Sequence, residues 1–389
     1  MEYATTNPKE PLRKFCLITT DLLIVRFFLI PHIKELAKYY DLTLVVNISD
    51  HEYWERLALP TKVKHIPIKR KVSLIHDLKA LITLTTYLHQ QRPDIVQTVA
   101  PKAGLIGILA AWINRVPSRI HIFQGEVWIT RTGLWRSILK NLDRLVARLT
   151  THNLVVSTSE RNFLIREKII TKDKSWALGK GSISGVDINK FRPSLKLRDD
   201  VRRRLGISNQ KKVFLYVGRI NKDKGVSQLL KAFAKLNQLD PGTILLIVGP
   251  DEEGLIDSEM SKMPSMLKDQ IRIIAYSEET ESYMTASDVL VLPSYREGFG
   301  VVIIEAAATK IPAIGSNIYG ISDAIQDGHT GLLFKHEIKD DLLKKMVELA
   351  KNENLRKKLG ENAYRECHLH FTEEQVIKNF LSFYRENFI

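Results

Sequence analysis

Residues 289–316 read VLVLPSYREGFGVVIIEAAATKIPAIGS, and this stretch decides how the rest of the chain is organised. Residues 289–293 are a short, continuous apolar run, the pattern of a strand buried on both faces. Residues 294–300 are polar and punctuated by glycine, residues 301–309 have the alanine-rich character of a helix, and residues 311–315 are apolar again. Strand, loop, helix and strand in that order predict a parallel α/β sheet. The loop then falls at the carboxyl end of a strand and the amino end of a helix, where open sheets bind ligands and free amides favour anionic groups. Glu297 on the loop and Glu305 one to two turns into the helix can face one crevice from there. The plainer alternative makes Glu297 a helix cap and Glu305 a solvated surface charge.

The same alternation runs outward in both directions. Residues 15–20 (FCLITT), 42–48 (LTLVVNI) and 63–68 are predicted strands, with a helix over 27–40 and another over 74–91. The apolar run 103–113 (AGLIGILAAWI) is a buried helix introduced by Pro101-Lys102-Ala103-Gly104, far short of the ~20 residues a membrane span needs. Residues 119–123 (RIHIF) form a strand leading into Gln124-Gly125-Glu126-Val127-Trp128, followed by a helix over 134–149 and a strand over 153–157. Arg131, Arg136, Lys140, Arg144 and Arg148 make a basic stripe there, read either as a solvated face or as a phosphate or headgroup contact. Ser157 to Glu160 (STSE) has the pattern of a capping box. A second alternation begins at 213–217 (VFLYV), continues through strands at 243–248 and 271–275 and a helix over 278–286, and returns to the opening stretch. The acidic segment 251–259 is taken as solvated. A final helix over 373–388 carries Val376, Phe380, Phe383 and Tyr384 on its apolar side.

The 389 residues are enough for two full cores, and 44% hydrophobic with 26% charged residues excludes a disordered or fibrous chain. The opening MEYATTNPKEPLRK has no apolar core of the kind a secretory signal needs. Cys16 and Cys367 stand in no metal-ligand or redox spacing, which suits a reducing cytoplasm, and His368 and His370 read as a surface cluster. The net charge of +14 is one-sided: residues 1–190 carry 29 basic and 16 acidic side chains, residues 191–389 carry 29 and 28. A basic first half, including Lys62, Lys64 and the run Lys69-Arg70-Lys71, points to anionic partners such as phosphates or an acidic membrane surface.

Glu297-Gly298-Phe299-Gly300 followed by Glu305-Ala306 resembles the paired-glutamate motif of the retaining GT-B glycosyltransferases of family 4. The flank Pro293-Ser294-Tyr295-Arg296 resembles members that build bacterial capsules, O-antigens and glycoprotein glycans. Gly218-Arg219-Ile220-Asn221-Lys222-Asp223-Lys224-Gly225 is similar to that family's pyrophosphate-binding loop, and Gly185-Val186-Asp187 with Phe191-Arg192-Pro193 to its crossover between domains. The resemblance covers nearly the whole chain. It implies an α/β fold of two Rossmann-like doubly wound domains facing across a cleft: an acceptor domain over 1–190, a nucleotide-sugar domain over 191–372, and a helix over 373–389 crossing back to the first domain. It implies catalytic roles for Glu297, Arg219 and Lys224, with donor contacts from Gly218, Gly298, Phe299, Gly300 and Glu305. Glu297 would bind sugar hydroxyls and Glu305 the ribose, while Arg219 and Lys224 stabilise the leaving diphosphate.

The chain departs from the family where a histidine commonly precedes Gly125 and touches the donor sugar. Gln124 stands there, with His121 three residues earlier, and a glutamine cannot transfer protons. Strand alternation sends His121 and Gln124 to opposite faces. Gln124, Gly125, His121 and Lys102 are therefore further candidate contacts for sugar or acceptor. The resemblance implies transfer of a hexose or N-acetylhexosamine from a UDP-sugar to a saccharide acceptor, lipid-linked on polyprenyl diphosphate or otherwise, in bacterial surface-glycan synthesis. It implies no cofactor, no metal and no nucleic acid partner, and a cytoplasmic protein held peripherally on the anionic inner membrane surface. The alternatives are a nucleotide-sugar 2-epimerase and an inactive nucleotide- or glycan-binding subunit.

Overall fold

The computed structural model describes residues 11–69 and 72–388. Most of the N-terminal stretch considered for a leader, and Arg70 and Lys71 of the basic run, lie outside the described residues. Contacts divide the chain into two compact units. The first holds the described residues to Phe123 together with Ser137–Val155 and Leu164–Trp176; the second holds Gln124–Arg136, Val156–Phe163 and the described residues from Ala177 onward. A single cut at residue 190 therefore differs from the contact grouping, which gives 124–136, 156–163 and 177–190 to the second unit. Local bonds account for this: the Ser182 amide donates to the Val156 carbonyl at 2.7 Å, and Val186 bridges to Thr372. The terminal helix Glu373–Phe388 also belongs to this unit, with the Glu373 backbone so close to Gly185 that a Cβ there would meet it at 2.4 Å.

The first unit is built on a seven-stranded sheet of β1 (Lys14–Asp21), β2 (Asp41–Asn47), β3 (Lys62–His65), β4 (Ile95–Val99), β5 (Ser118–Phe123), β6 (His152–Val155) and β7 (Ser175–Ala177). Its order is β3-β2-β1-β4-β5-β6-β7, and the pairs from β1 to β6 are parallel. The helices Leu74–Gln91 and Pro101–Ile113 begin where the sequence placed them. The first turns Ala80, Leu84 and Leu88 into a core shared with Ile18, Val45 and Val96. The second is apolar all round because it is buried, and its glycines let it lie against the sheet: a Cβ on Gly107 would meet the Thr98 methyl at 2.6 Å. The predicted helix over 27–40 is interrupted, with a π-helical turn over Val25–Leu29 preceding Ile30–Leu36.

The second unit is built on a six-stranded sheet of β8 (Lys212–Val217), β9 (Thr243–Val248), β10 (Ile271–Ile274), β11 (Val289–Leu292), β12 (Ala313–Ser316) and β13 (Gly331–Phe334). Its order is β10-β9-β8-β11-β12-β13, parallel throughout. Every residue of β9, β11 and β12 is buried, which is why β9 and β11 read as near-continuous apolar runs rather than alternating ones. The order reverses between β8 and β11. A doubly wound sheet opens a crevice at that switch point, outside the carboxyl ends of its strands. The loops leaving those two strands are residues 218–225 and 293–300, the two the sequence had singled out.

Candidate active site

Gly225 brings the two loops together. It has φ of +68° and lies so near the Pro293 carbonyl that a Cβ would meet its oxygen at 2.0 Å, so only glycine fits. The Tyr295 amide donates to the Asp223 carbonyl at 2.8 Å across the same junction. Side chains follow the backbone. The Lys224 ammonium donates to Glu297 Oε1 at 2.5 Å, and Ser294 Oγ donates to the same oxygen at 3.0 Å. Both partners of the ion pair are largely but not wholly buried, so each keeps some contact with solvent.

Arg219 takes a different partner. It grips Glu252 with one nitrogen to both carboxylate oxygens, at 2.9 and 3.0 Å, and Asn221 Nδ2 donates to Glu252 as well. The acidic segment after β9 is thus not merely solvated; one of its carboxylates neutralises the loop arginine. Asp223 and Arg296 form a second link between the loops at 3.1 and 3.2 Å, and Arg296 also donates to the Gly125 carbonyl at 3.1 Å.

The Glu297–Gly298 peptide is enclosed by glycines. A Cβ on Gly125 would meet the Gly298 nitrogen at 2.8 Å, and one on Gly320 would meet the Gly298 oxygen at 2.3 Å. A Cβ on Gly298 would in turn strike the Gln124 backbone at 2.8 Å. Gln124 and Gly125 are therefore brought to the glutamate loop, and the Gln124 Nε2 amide is buried with no acceptor among the described residues. Phe299 contributes only its backbone to this surface. Its ring is buried against Phe371 and beside Gly181, anchoring the loop from below.

Gly300 starts the helix Val301–Ala308 without a side-chain cap, so Glu297 is not the cap that the plainer reading made it. Glu305, on that helix, is partly buried. Desolvation pushes its carboxyl up to about 7, Glu281 adding to the rise and Lys190 opposing it. Glu305 is therefore not a freely solvated charge.

Two candidates fall in the first unit. His121 is buried in β5, its Nδ1 within 2.8 Å of the Thr98 hydroxyl and its ring directly against Gly104. Burial pulls its imidazole down to about 3, so it stays neutral. Enclosure on all these sides removes it from a sugar-contacting role. Lys102 pairs with Asp77 at 2.6 Å and donates to the Lys69 carbonyl at the same distance. In the basic stripe, Lys140 pairs with Glu167, Arg144 bonds Asn141 and the carbonyls of Glu167 and Lys168, and Arg136 stacks over Trp128 at 5.3 Å.

Sequence reasoning missed a buried cluster beside Gly125. Glu160 was expected to complete a capping box. Its own amide does bond Ser157 Oγ at 3.1 Å, but its carboxyl turns away to accept the amides of Gly125 at 2.5 Å and Val156 at 2.9 Å. Glu126 lies next to it and accepts the Tyr319 hydroxyl at 2.7 Å. The helix that begins at Thr158 thus keeps the Ser157 half of the box and is further capped by Asp323, which takes the amides of Thr158 and Ser159 and the Ser159 hydroxyl. The capping-box spacing drew attention to Glu160; nothing local marked its true partner, 35 residues away.

Comparison with known proteins adds to this geometry. Residues 198–366 match the family model described as glycosyl transferases group 1, and residues 35–174 match the glycosyl transferase 4-like domain. The chain is 31% identical over 346 residues to the capsular polysaccharide biosynthesis glycosyltransferase CapM of Staphylococcus aureus, covering 87% of this chain and 89% of that one. It is 30% identical to the UDP-Gal:alpha-D-GlcNAc-diphosphoundecaprenol alpha-1,3-galactosyltransferase of Escherichia coli, over 72% of each chain. Among solved structures it resembles Anabaena HepE in complex with UDP, with a TM-score of 0.78, 16% identity and coverage of 96% and 100%. It also resembles WaaG, a glycosyltransferase involved in lipopolysaccharide biosynthesis, with a TM-score of 0.71, 16% identity and coverage of 94% and 98%.

Proposed function

The chain belongs to the GT-B glycosyltransferases of family 4, and from that premise we propose that it moves a hexosyl or N-acetylhexosaminyl group from a UDP-sugar, with retention at the anomeric carbon, to a saccharide carried on a polyprenyl diphosphate. The observation that carries the site assignment is the Lys224–Glu297 pair at the switch point of the second sheet. A nucleoside diphosphate is an anion that this pair and the Arg219–Glu252 pair can accommodate by exchange. Lys224 and Arg219 turn from carboxylate to phosphate, and Glu297 is released to accept hydrogen bonds from sugar hydroxyls. The Gln124 amide, buried with no acceptor among the described residues, supplies a donor to the same sugar. Glu305 accepts from the ribose.

In this reading the charge that develops on the departing diphosphate is met by two fixed cations in a partly desolvated crevice, where such interactions are stronger than in water. Charge neutralisation by side chains leads us to expect transfer to persist in the presence of a chelator. The lipid-linked acceptor is supported by the relative named for a diphosphoundecaprenol substrate and by the basic first half of the chain.

The test pairs a panel of UDP-sugars with and without an undecaprenyl-diphosphate-linked saccharide and follows product by mass. Transfer only when both are present is the expected result; conversion of a UDP-sugar alone to its 2-epimer would replace this reading with the epimerase. Lys224→Ala should lower kcat by at least ~100-fold, the usual cost of removing one charge-stabilising group. Unaltered turnover in that variant would remove the assigned role.

A further inference from the structure

Glu126 and Glu160 are both buried, on residues the proposed transfer does not use. The two oxygens of Glu160 accept the Gly125 and Val156 amides, and Glu126 Oε2 accepts from Tyr319. The two carboxyl groups are near enough for each to act on the other's charge. Glu126 Oε1, with no accessible surface, has no donor among the described residues. Two neighbouring carboxylates away from water do not readily both ionise, and a proton shared between them supplies the donor that Oε1 lacks.

The surroundings fit a pair held at a single negative charge. Arg296 is the cation facing Glu126, and it is itself bound to Asp223 and to the Gly125 carbonyl. Tyr319 closes one side, stacked on Phe163 at 4.7 Å, and Phe163 stacks on Trp128 at 5.6 Å. The Gly125 peptide is thereby fixed at both ends, its amide by Glu160 and its carbonyl by Arg296. This peptide lies against Glu297–Gly298.

We propose that Glu126 and Glu160 hold one proton between them and act as the positioning pair that sets Gln124 and Gly125 against the glutamate loop, so that glycosyl transfer is lost when this proton leaves. Losing it leaves two neighbouring buried carboxylates charged. Glu160 then moves off the Gly125 amide, and the peptide that lines Glu297–Gly298 is free to shift. Burial is the first cause of the upward displacement of both carboxyls, and the repulsion from Glu126 adds to that of Glu160. The catalytic limb that results lies on the alkaline side.

The inference rests on glycosyl transfer but not on which sugar is moved. Its test is the pH profile of kcat for the wild type, Glu126→Gln and Tyr319→Phe, each with its melting temperature across the same range of ~pH 5 to ~pH 9. In Glu126→Gln the side-chain nitrogen donates to Glu160 and the oxygen still accepts from Tyr319, so the bond persists with no proton to lose. The ratio of kcat at high to neutral pH should fall several-fold in the wild type and stay flat in this variant. Tyr319→Phe removes a donor that favours ionised Glu126, so its limb should move to higher pH. An unchanged limb in Glu126→Gln, or movement to lower pH in Tyr319→Phe, overturns the proposal. If no UDP-sugar supports turnover, the reading of the donor fails while the pair is still tested by melting. Wild-type stability should fall with rising pH relative to Glu126→Gln, and parallel curves would refute the shared proton.

Discussion

Glu305 shows how much a single position can conceal. Its folded-state carboxyl lies near 7, above the ordinary 4.5, because the helix buries it. A group raised in the folded state contributes its stability in full below the unfolded value and loses it as pH rises through the folded one. Glu305→Gln should therefore melt with the wild type near pH ~4 and melt higher near pH ~8, by about 1–2 kcal/mol after allowing for partial exposure. If Glu305 accepts from the ribose, the same variant should bind UDP more weakly, and wild-type affinity should rise with pH through about 7. Calorimetry on both proteins checks the two effects together; a variant that is stabilised yet binds normally would take Glu305 out of the nucleotide site. The sequence placed Glu305 on a helix but left its ionisation open, since neither its burial nor the opposing charges of Lys190 and Glu281 are announced by the local pattern. Lys224 and Glu297 were more legible, because the loops that carry them resemble the family's motifs, and the structure brings those loops together at Gly225.

The same contrast holds among elements. Strands buried on both faces announce themselves by composition, and β8, β9 and β11 begin within a residue of where the apolar runs do. The helix Leu195–Arg204 did not, for it is held mainly by polar chemistry rather than by an apolar stripe. Arg202 is fully buried, donating to Asp288 at 2.8 Å and to the carbonyls of Ala286 and Lys211, while Arg198 donates to the other Asp288 oxygen at 2.6 Å. Asp288 also accepts the Val213 amide at 2.7 Å, so one carboxylate ties this helix to the starts of β8 and β11, the strands flanking the switch point. Asp288→Ala leaves a buried guanidinium without its counter-charge and should cost about 3 kcal/mol in denaturant unfolding. A loss within about 0.5 kcal/mol, as expected of a surface pair, would mean the carbonyls alone satisfy Arg202. β3 fails in the opposite direction: predicted to reach residue 68, it stops at His65, since Pro67 has no N–H to continue the ladder and the Ile68 amide turns back to the Ile66 carbonyl as both isoleucines enter the core.

For the whole molecule, the question raised by net charge is what the basic first half meets. No helix among the described residues is long and apolar enough to cross a membrane. Two helices nevertheless turn apolar stripes outward. On Leu74–Gln91 these are Leu74, Ile75, Leu78 and Ile82, the first two 83% and 82% exposed, at spacings that keep them on one face away from buried Ala80, Leu84 and Leu88. On Gly133–Leu149 they are Leu134, Trp135, Ile138 and Leu145, with Leu134 76% and Trp135 66% exposed beside the basic stripe. An apolar stripe next to Lys and Arg is the pattern of a helix lying in a lipid interface, with a screened electrostatic part and an unscreened apolar part to its binding. Lys140 and Arg144 are engaged within the protein, so the electrostatic part should come from the charge of the first half as a whole more than from this stripe. The two parts separate in vesicle sedimentation. The wild type should bind phosphatidylglycerol vesicles better than phosphatidylcholine ones, and most of that preference should disappear between ~50 and ~300 mM salt. Leu134→Ser with Trp135→Ser should remove the binding that survives salt while leaving the lipid preference at low salt in place. Binding that ignores both ionic strength and lipid charge would contradict an electrostatic docking role, and a double variant that binds as the wild type does at every salt concentration would place the apolar contact elsewhere.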